Sequence, residues 1–174
     1  MNWIIRTHFL VFVLGCGSLA WAQDIHIRVT NARNGKPITD ECLNISLGKW
    51  HGAELLAPTN REGVVELHIK NRQVTADTTS PHACNGLAIP GPKFLTSDLE
   101  SISVMGDIYV ACQEYGKRSA GQPAGDVIPT YQIGKIVEFG VAAANTCGKF
   151  KAEAKPGELI LFVRPMSPSE KFKL

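Results

Sequence analysis

The sequence lacks the features of several common protein classes. After Ala22 no apolar stretch approaches the roughly 18 residues that a membrane-spanning helix needs. Aromatic residues make up only 7% of the 174 residues, and the formal net charge is only +2. A nearly neutral surface has no strong field for nucleic acid or anionic lipid. We therefore expect no nucleic-acid partner and no transmembrane segment in the mature chain.

Motifs for covalent catalysis and for metal or cofactor binding are also missing. There is no Gly-x-Ser-x-Gly, no Cys-x-x-Cys and no glycine-rich phosphate loop. His26, His51, His68 and His82 do not have the close spacing of a helical metal motif, and a metal at His82 and Cys84 is excluded if Cys84 is in a disulfide. His26 and His68 alternate with apolar residues, which predicts that they face solvent. We expect no metal, no cofactor and no catalytic residues.

The first 22 residues have the features of a cleaved secretory signal. Arg6 supplies a positive charge, residues 9–14 form a short apolar run, and Ala20-Trp21-Ala22 is a small-x-small cleavage site. The run is too short for a stable membrane anchor, which disfavours an uncleaved segment. These features predict a signal peptide over residues 1–22.

Lipid attachment at Cys16 is the other processing route that we considered. Leu14 stands where lipoprotein signals usually carry a small residue, which disfavours this route. Cleavage after Ala22 leaves residues 23–174, a usual size for one domain. We therefore expect a single domain that is secreted or periplasmic.

The mature chain keeps four cysteines, an even number that indicates two disulfides in an oxidising compartment. Three pairings are possible, and free buried cysteines are the alternative. Cys112 ends a predicted strand and Cys147 shortly precedes the last one, so a bridge between them would tie the long intervening segment to the sheet. We therefore predict the pairs Cys112–Cys147 and Cys42–Cys84.

Apolar residues at every second position predict strands over residues 24–30, 43–47 and 64–70. Turn residues separate them, with Asn34-Gly35 at the first turn and residues 58–63 at the second. Leu159–Val163 is a continuous apolar run, typical of a central strand buried on both sides.

The remaining segments are less regular. Residues 48–57 show no clear period, 74–100 read mostly as loop with a possible edge strand at 86–89, and 113–126 read as an exposed loop. Residues 102–104 and 108–111 predict a strand pair or one bulged strand.

A short helix is predicted near residues 131–139, with Thr130 as its cap and Gly140 at its end. A helical turn is predicted at the C-terminus, where Ser167-Pro168-Ser169-Glu170 has a capping pattern. Many short strands with few helices favour a Greek-key-type β-sandwich.

Two stretches resemble the carboxypeptidase-regulatory-like and transthyretin-like domains. Residues 27–38 are similar to their opening strand and Gly-x-Pro turn, and residues 58–65 are similar to the Thr-Asp-x-x-Gly turn that enters a later strand. The resemblance implies a β-sandwich. Residues 129–165 resemble a segment of uncharacterised exported bacterial proteins, which implies no activity.

Hydroxyisourate hydrolases are enzymes with the transthyretin-like fold, but this chain lacks two of the sequence features that carry their catalytic activity. Their catalytic histidine lies seven residues before the glycine of the Gly-x-Pro turn, where this chain has Arg28. Their C-terminal Tyr-Arg-Gly-Ser is also absent. The resemblance therefore does not carry that activity to this chain.

We consider three functions for the domain. The first is a non-catalytic module that binds a protein or carbohydrate through its loops at 48–60 and 74–100, with Trp50, His51 and His82 as candidate contacts. Trp50 has an alternative place in the core or at its edge, because large aromatic residues are usually buried. The second function is a small hydrolase, and the third is a structural protein of the cell envelope.

Overall fold

A computed structural model describes residues 23–48, 53–70, 73–77, 84, 93–94, 101–106, 109–112 and 129–168. Its elements are β1 (Gln23–Asn31), β2 (Cys42–Leu47), β3 (Ala53–Pro58), β4 (Val64–Lys70), β5 (Gln73–Asp77), β6 (Lys93–Phe94), β7 (Ser101–Gly106), β8 (Tyr109–Ala111), β9 (Thr130–Gln132), α1 (Ile133–Phe139), β10 (Val141–Ala142) and β11 (Glu158–Pro165). The predicted signal peptide lies outside the described residues. Within those residues, no helix has the length and apolar character needed to span a membrane.

The strands form two sheets, as predicted for a β-sandwich. Sheet A has the order β10-β11-β1-β4-β5-β6, and β8 also pairs with β11. Sheet B has the order β3-β2-β7-β9. Most neighbouring strands are antiparallel, but β11 is parallel to both β1 and β10. Sheet A is therefore a mixed sheet with β11 in its interior.

The core is built from the apolar stripes that the alternation predicts. Ile25, Ile27 and Val29 of β1 are buried, and so are every second residue of β2 and of β4. Because side chains alternate between the faces of a strand, the polar residues between them remain at the other face. The three predicted strands are confirmed.

The last strand is buried on both faces, as its continuous apolar run predicts. All residues from Glu158 to Val163 are buried. The chain before β11 covers one of these faces, where Phe150 lies edge-on to Phe162 with ring centroids 6.2 Å apart. Asn145 secures this covering segment, since its Nδ2 donates to the carbonyl oxygens of Ala32 and Phe150 at 2.7 and 2.9 Å.

The structure corrects the predictions for the less regular segments. Residues 53–58 form β3 within the stretch that shows no period, and 73–77 and 93–94 form β5 and β6 where mostly loop was predicted. β7 and β8 belong to different sheets, so they are neither a strand pair nor one bulged strand. The stretches 86–89 and 113–126 lie outside the described residues.

The predicted helix exists, with one error at its start. It covers Ile133–Phe139 and ends at Gly140, whose φ of 73° suits a residue without a side chain. The N-cap is Gln132 rather than Thr130, because Thr130 is taken up by β9. Of the predicted C-terminal turn only the first residues are described.

Gly63 shows why a glycine is needed in the turn before β4. Its φ is 71°, and a Cβ there would lie 2.8 Å from the carbonyl oxygen of Val29 and 2.9 Å from Cβ of Pro37. The Gly-x-Pro turn and the turn before β4 therefore pack directly on each other. Next to them Thr59 is fully buried, and its hydroxyl accepts from the amide of Glu41 and donates to the carbonyl of Ile38.

Both predicted disulfides are present. Cys42–Cys84 and Cys112–Cys147 have Cα–Cα distances of 5.6 and 5.3 Å, within the usual range for a bridge. The second bridge joins the end of β8 to the segment that covers β11. Bonded cysteines leave no thiolate for a metal, so a site at His82 and Cys84 is excluded.

Candidate functional site

The solvent-facing side of sheet A carries charged and histidine side chains on neighbouring strands. β1 contributes Asp24, His26 and Arg28, and β4 contributes Glu66 and His68, in each case at alternate positions. The antiparallel register places His26 opposite Glu66 and Asp24 opposite His68. Side chains directly opposite each other on one face are close enough to interact.

Two histidine–carboxylate pairs result from this register. Nδ1 of His68 lies 2.8 Å from Oδ1 of Asp24, and Nδ1 of His26 lies 3.4 Å from Oε1 of Glu66. Both imidazoles are about half exposed, which confirms that these histidines face solvent. A carboxylate at Nδ1 orients the ring and leaves Nε2 of His68 available for a proton, a ligand or a metal ion.

One end of this face deepens into an open depression of about 470 Å³, which we call the charged recess. Ligand pockets are commonly about 300 to 1,000 Å³ in volume, so the charged recess has room for a small molecule or a peptide segment. It is lined by β1, by β4 with the turn before it, and by the chain entering β11: His26, Arg28, Asn60, Glu62, Val64, Glu66, Lys155, Pro156 and Glu158.

Arg28 is held in place at the charged recess by a buried carboxylate. Its Nε donates to Oε1 of Glu158 at 2.6 Å, and the amide of Lys155 donates to Oε2 of the same glutamate at 3.1 Å. The Glu158 side chain is only 10% exposed, whereas that of Arg28 is 47% exposed. The Nη groups of Arg28 have no hydrogen-bond partner in the described part of the chain. They are therefore positioned donors at a half-exposed surface.

The mixed charges of the charged recess limit what it can hold. Arg28 and Lys155 present positive charge, and Glu62 and Glu66 present negative charge. A polyanion would meet the two glutamates as well as the cations. A polar molecule with both hydrogen-bond donors and acceptors satisfies both signs.

The candidate contacts predicted from the sequence fall outside the described part of the chain. Trp50, His51 and His82 lie outside the described residues, as does most of the loop at 74–100. From the sequence, His26 and His68 are predicted only as surface residues, and Arg28 only marks a departure from an enzyme motif. The polar alternation Asp-x-His-x-Arg in β1 and Glu-x-His in β4 was a usable signal, but it needed the β1–β4 pairing to become a site.

Comparison of the chain with protein-family models, with curated proteins and with solved structures yields no match. A function is therefore inferred from the charges and the geometry of sheet A.

Proposed function

We propose that this protein is an exported binding module of β-sandwich fold whose charged recess holds a sugar or a short peptide segment. The observation that carries the proposal is Arg28, which a buried glutamate orients while its Nη groups have no hydrogen-bond partner in the described part of the chain. The two disulfides support export, because such bonds persist in oxidising compartments.

Preorganisation is the physical argument for binding at Arg28. A long side chain that is already held costs less entropy to order when a ligand arrives. Glu158 accepts hydrogen bonds on both of its oxygens and lies in β11, an interior strand of sheet A. The Arg28 guanidinium is therefore held in a fixed position before a ligand binds. Glu62 and Glu66 can accept hydrogen bonds from hydroxyl or ammonium groups of the ligand.

The test begins with a screen for binding by nuclear magnetic resonance. A panel of mono- and disaccharides and of short zwitterionic peptides is added to the isotopically labelled protein. We expect a binding member of the panel to shift the amide signals of Arg28, Glu66 and Lys155. Shifts confined to residues 48–58 and 74–100 would contradict the site, since none of these residues lines the charged recess in the described part of the chain.

Arg28→Lys is expected to weaken binding of that ligand by about tenfold or more, because a lysine keeps one positive charge beside Glu158 but loses the guanidinium fork. Calorimetric titration measures the change. Arg33→Ala is the matched control, since Arg33 is an exposed arginine in the turn after β1 and does not line the charged recess. Equal affinity for Arg28→Lys and the unmodified protein would refute the role of Arg28.

A small hydrolase is the second candidate, favoured by the 2.8 Å contact between His68 and Asp24. An imidazole oriented by a carboxylate is the usual arrangement of a general base. Such an enzyme should hydrolyse members of a panel of small esters and amides, and His68→Gln should abolish that turnover. Turnover that survives His68→Gln, or no turnover at all, would eliminate this candidate.

A further inference from the structure

A cluster of three metal-ligating side chains lies on sheet A at the edge of the charged recess, and Glu66 belongs to both. Glu66 and His68 come from β4 and Asp77 comes from β5, with one ligand atom of each lying within 4.8 Å of the other two. The register explains the cluster, because Asp77 is directly opposite Glu66 and His68 is two residues further along the same face. Three strand-borne donors thus share one small area of a hydrogen-bonded sheet.

A residue outside the cluster orients its histidine. Asp24 of β1 contacts Nδ1 of His68 at 2.8 Å, which leaves Nε2 as the free ring nitrogen. Metal-binding histidines almost always donate their other ring N–H to a carboxylate, a carbonyl or water. The Asp24–His68 contact is therefore the support that a metal-bound imidazole needs.

The charges of this area also favour a cation. Asp24, Glu66 and Asp77 bring three carboxylates to neighbouring positions of one face. Within the described residues, Glu66 pairs with His26 and Asp24 pairs with His68, and none of the three carboxylates forms an ion pair with a lysine or arginine. A divalent ion bound between these carboxylates would offset their mutual repulsion.

We propose that Glu66, His68 and Asp77 bind a divalent transition-metal ion, with Zn²⁺ preferred, and that Asp24 positions His68. One imidazole and two carboxylates are donors that zinc accepts, whereas Mg²⁺ prefers oxygen ligands and retained water. Three protein donors leave a fourth position open to water or to a ligand atom. This site goes beyond the proposed function and does not depend on it, since no occupant of the charged recess is needed.

The test is calorimetric titration of ZnCl₂ into chelator-stripped protein. The protein is expressed as the full chain, recovered after export and carries no oligohistidine tag. We expect one Zn²⁺ per chain, with the affinity lowered about tenfold or more in His68→Gln and in Asp77→Asn, and lowered by about 10- to 100-fold in Asp24→Asn. MgCl₂ titrated in the same way should bind more weakly than ZnCl₂.

Matched variants keep this test specific. Glu138→Gln removes an exposed carboxylate on α1, away from the cluster, and should bind Zn²⁺ like the unmodified protein. Circular dichroism establishes that each variant is folded. Absence of saturable Zn²⁺ binding would overturn the proposal. It would also be overturned if His26→Gln abolished binding while Asp77→Asn had no effect, since the ion would then lie elsewhere.

Discussion

Replacing Cys112 and Cys147 together by alanine is expected to lower the free energy of unfolding by about 4 kcal/mol. The bridge closes a segment of 35 residues. In the chain-entropy model, closing a loop of that length lowers the entropy of the unfolded chain enough to stabilise the folded protein by this amount. Cys112 is also 1% exposed, and its amide donates to the carbonyl of Phe162 at 2.8 Å. Urea denaturation of the oxidised proteins measures the difference.

The other bridge is a built-in comparison for this prediction. Cys42–Cys84 closes 42 residues, and the logarithmic dependence on loop length gives the two bridges contributions within about 0.2 kcal/mol of each other. The double variant Cys42→Ala with Cys84→Ala should therefore lose nearly as much stability. A loss of less than about 1 kcal/mol for the Cys112 and Cys147 variant would contradict the entropic account.

Phe162→Ala is expected to destabilise the protein by about 3–5 kcal/mol, the usual cost of removing a buried phenylalanine. Phe162 is 2% exposed and lies in β11 beneath the covering segment, with the ring of Phe150 edge-on to it. Truncation leaves a cavity between β11 and the segment that covers it. The covering segment cannot move in to fill this cavity without breaking hydrogen bonds such as those of Asn145. Thermal and urea unfolding both measure the loss.

Phe139→Ala is the matched control for the Phe162 variant. Phe139 is 64% exposed at the end of α1, so its truncation should change stability by no more than about 0.5 kcal/mol. If the two variants lost equal stability, Phe162 would not be the buried contact that the structure shows. If Phe150→Ala lost as much stability as Phe162→Ala, the stabilisation would come from the packing of the two rings together with the segment that covers β11.

Much of the fold could be predicted because it is local in origin. The stripes of Ile25, Ile27 and Val29, and those of β2 and β4, are visible as a period of two in the sequence. The pairing of Cys112 with Cys147 followed from their positions at the edges of predicted strands. These features need no knowledge of which strands become neighbours.

The site could not be predicted because it depends on neighbours distant in sequence. His68 meets Asp24 across 44 residues, and Arg28 meets Glu158 across 130. A lone histidine in a solvent-facing stripe is an ordinary surface residue until a partner strand supplies its carboxylate. The strands β3 and β5 were missed for a related reason, since their place in the sheets depends on hydrogen bonds with β2 and β4 rather than on a strong period of their own.

The amino-acid sequence by itself determined the mostly β character of the chain, its principal buried stripes and the cysteines available for two bridges, because side-chain alternation and residue composition act along the chain. Tertiary structure alone decided that β11 runs parallel to β1, that β7 and β8 part into different sheets, and that β1, β4 and β5 lie side by side. The order of the strands is the one that buries all of the apolar stripes together. The charged recess and the Glu66–His68–Asp77 cluster exist only because of that order.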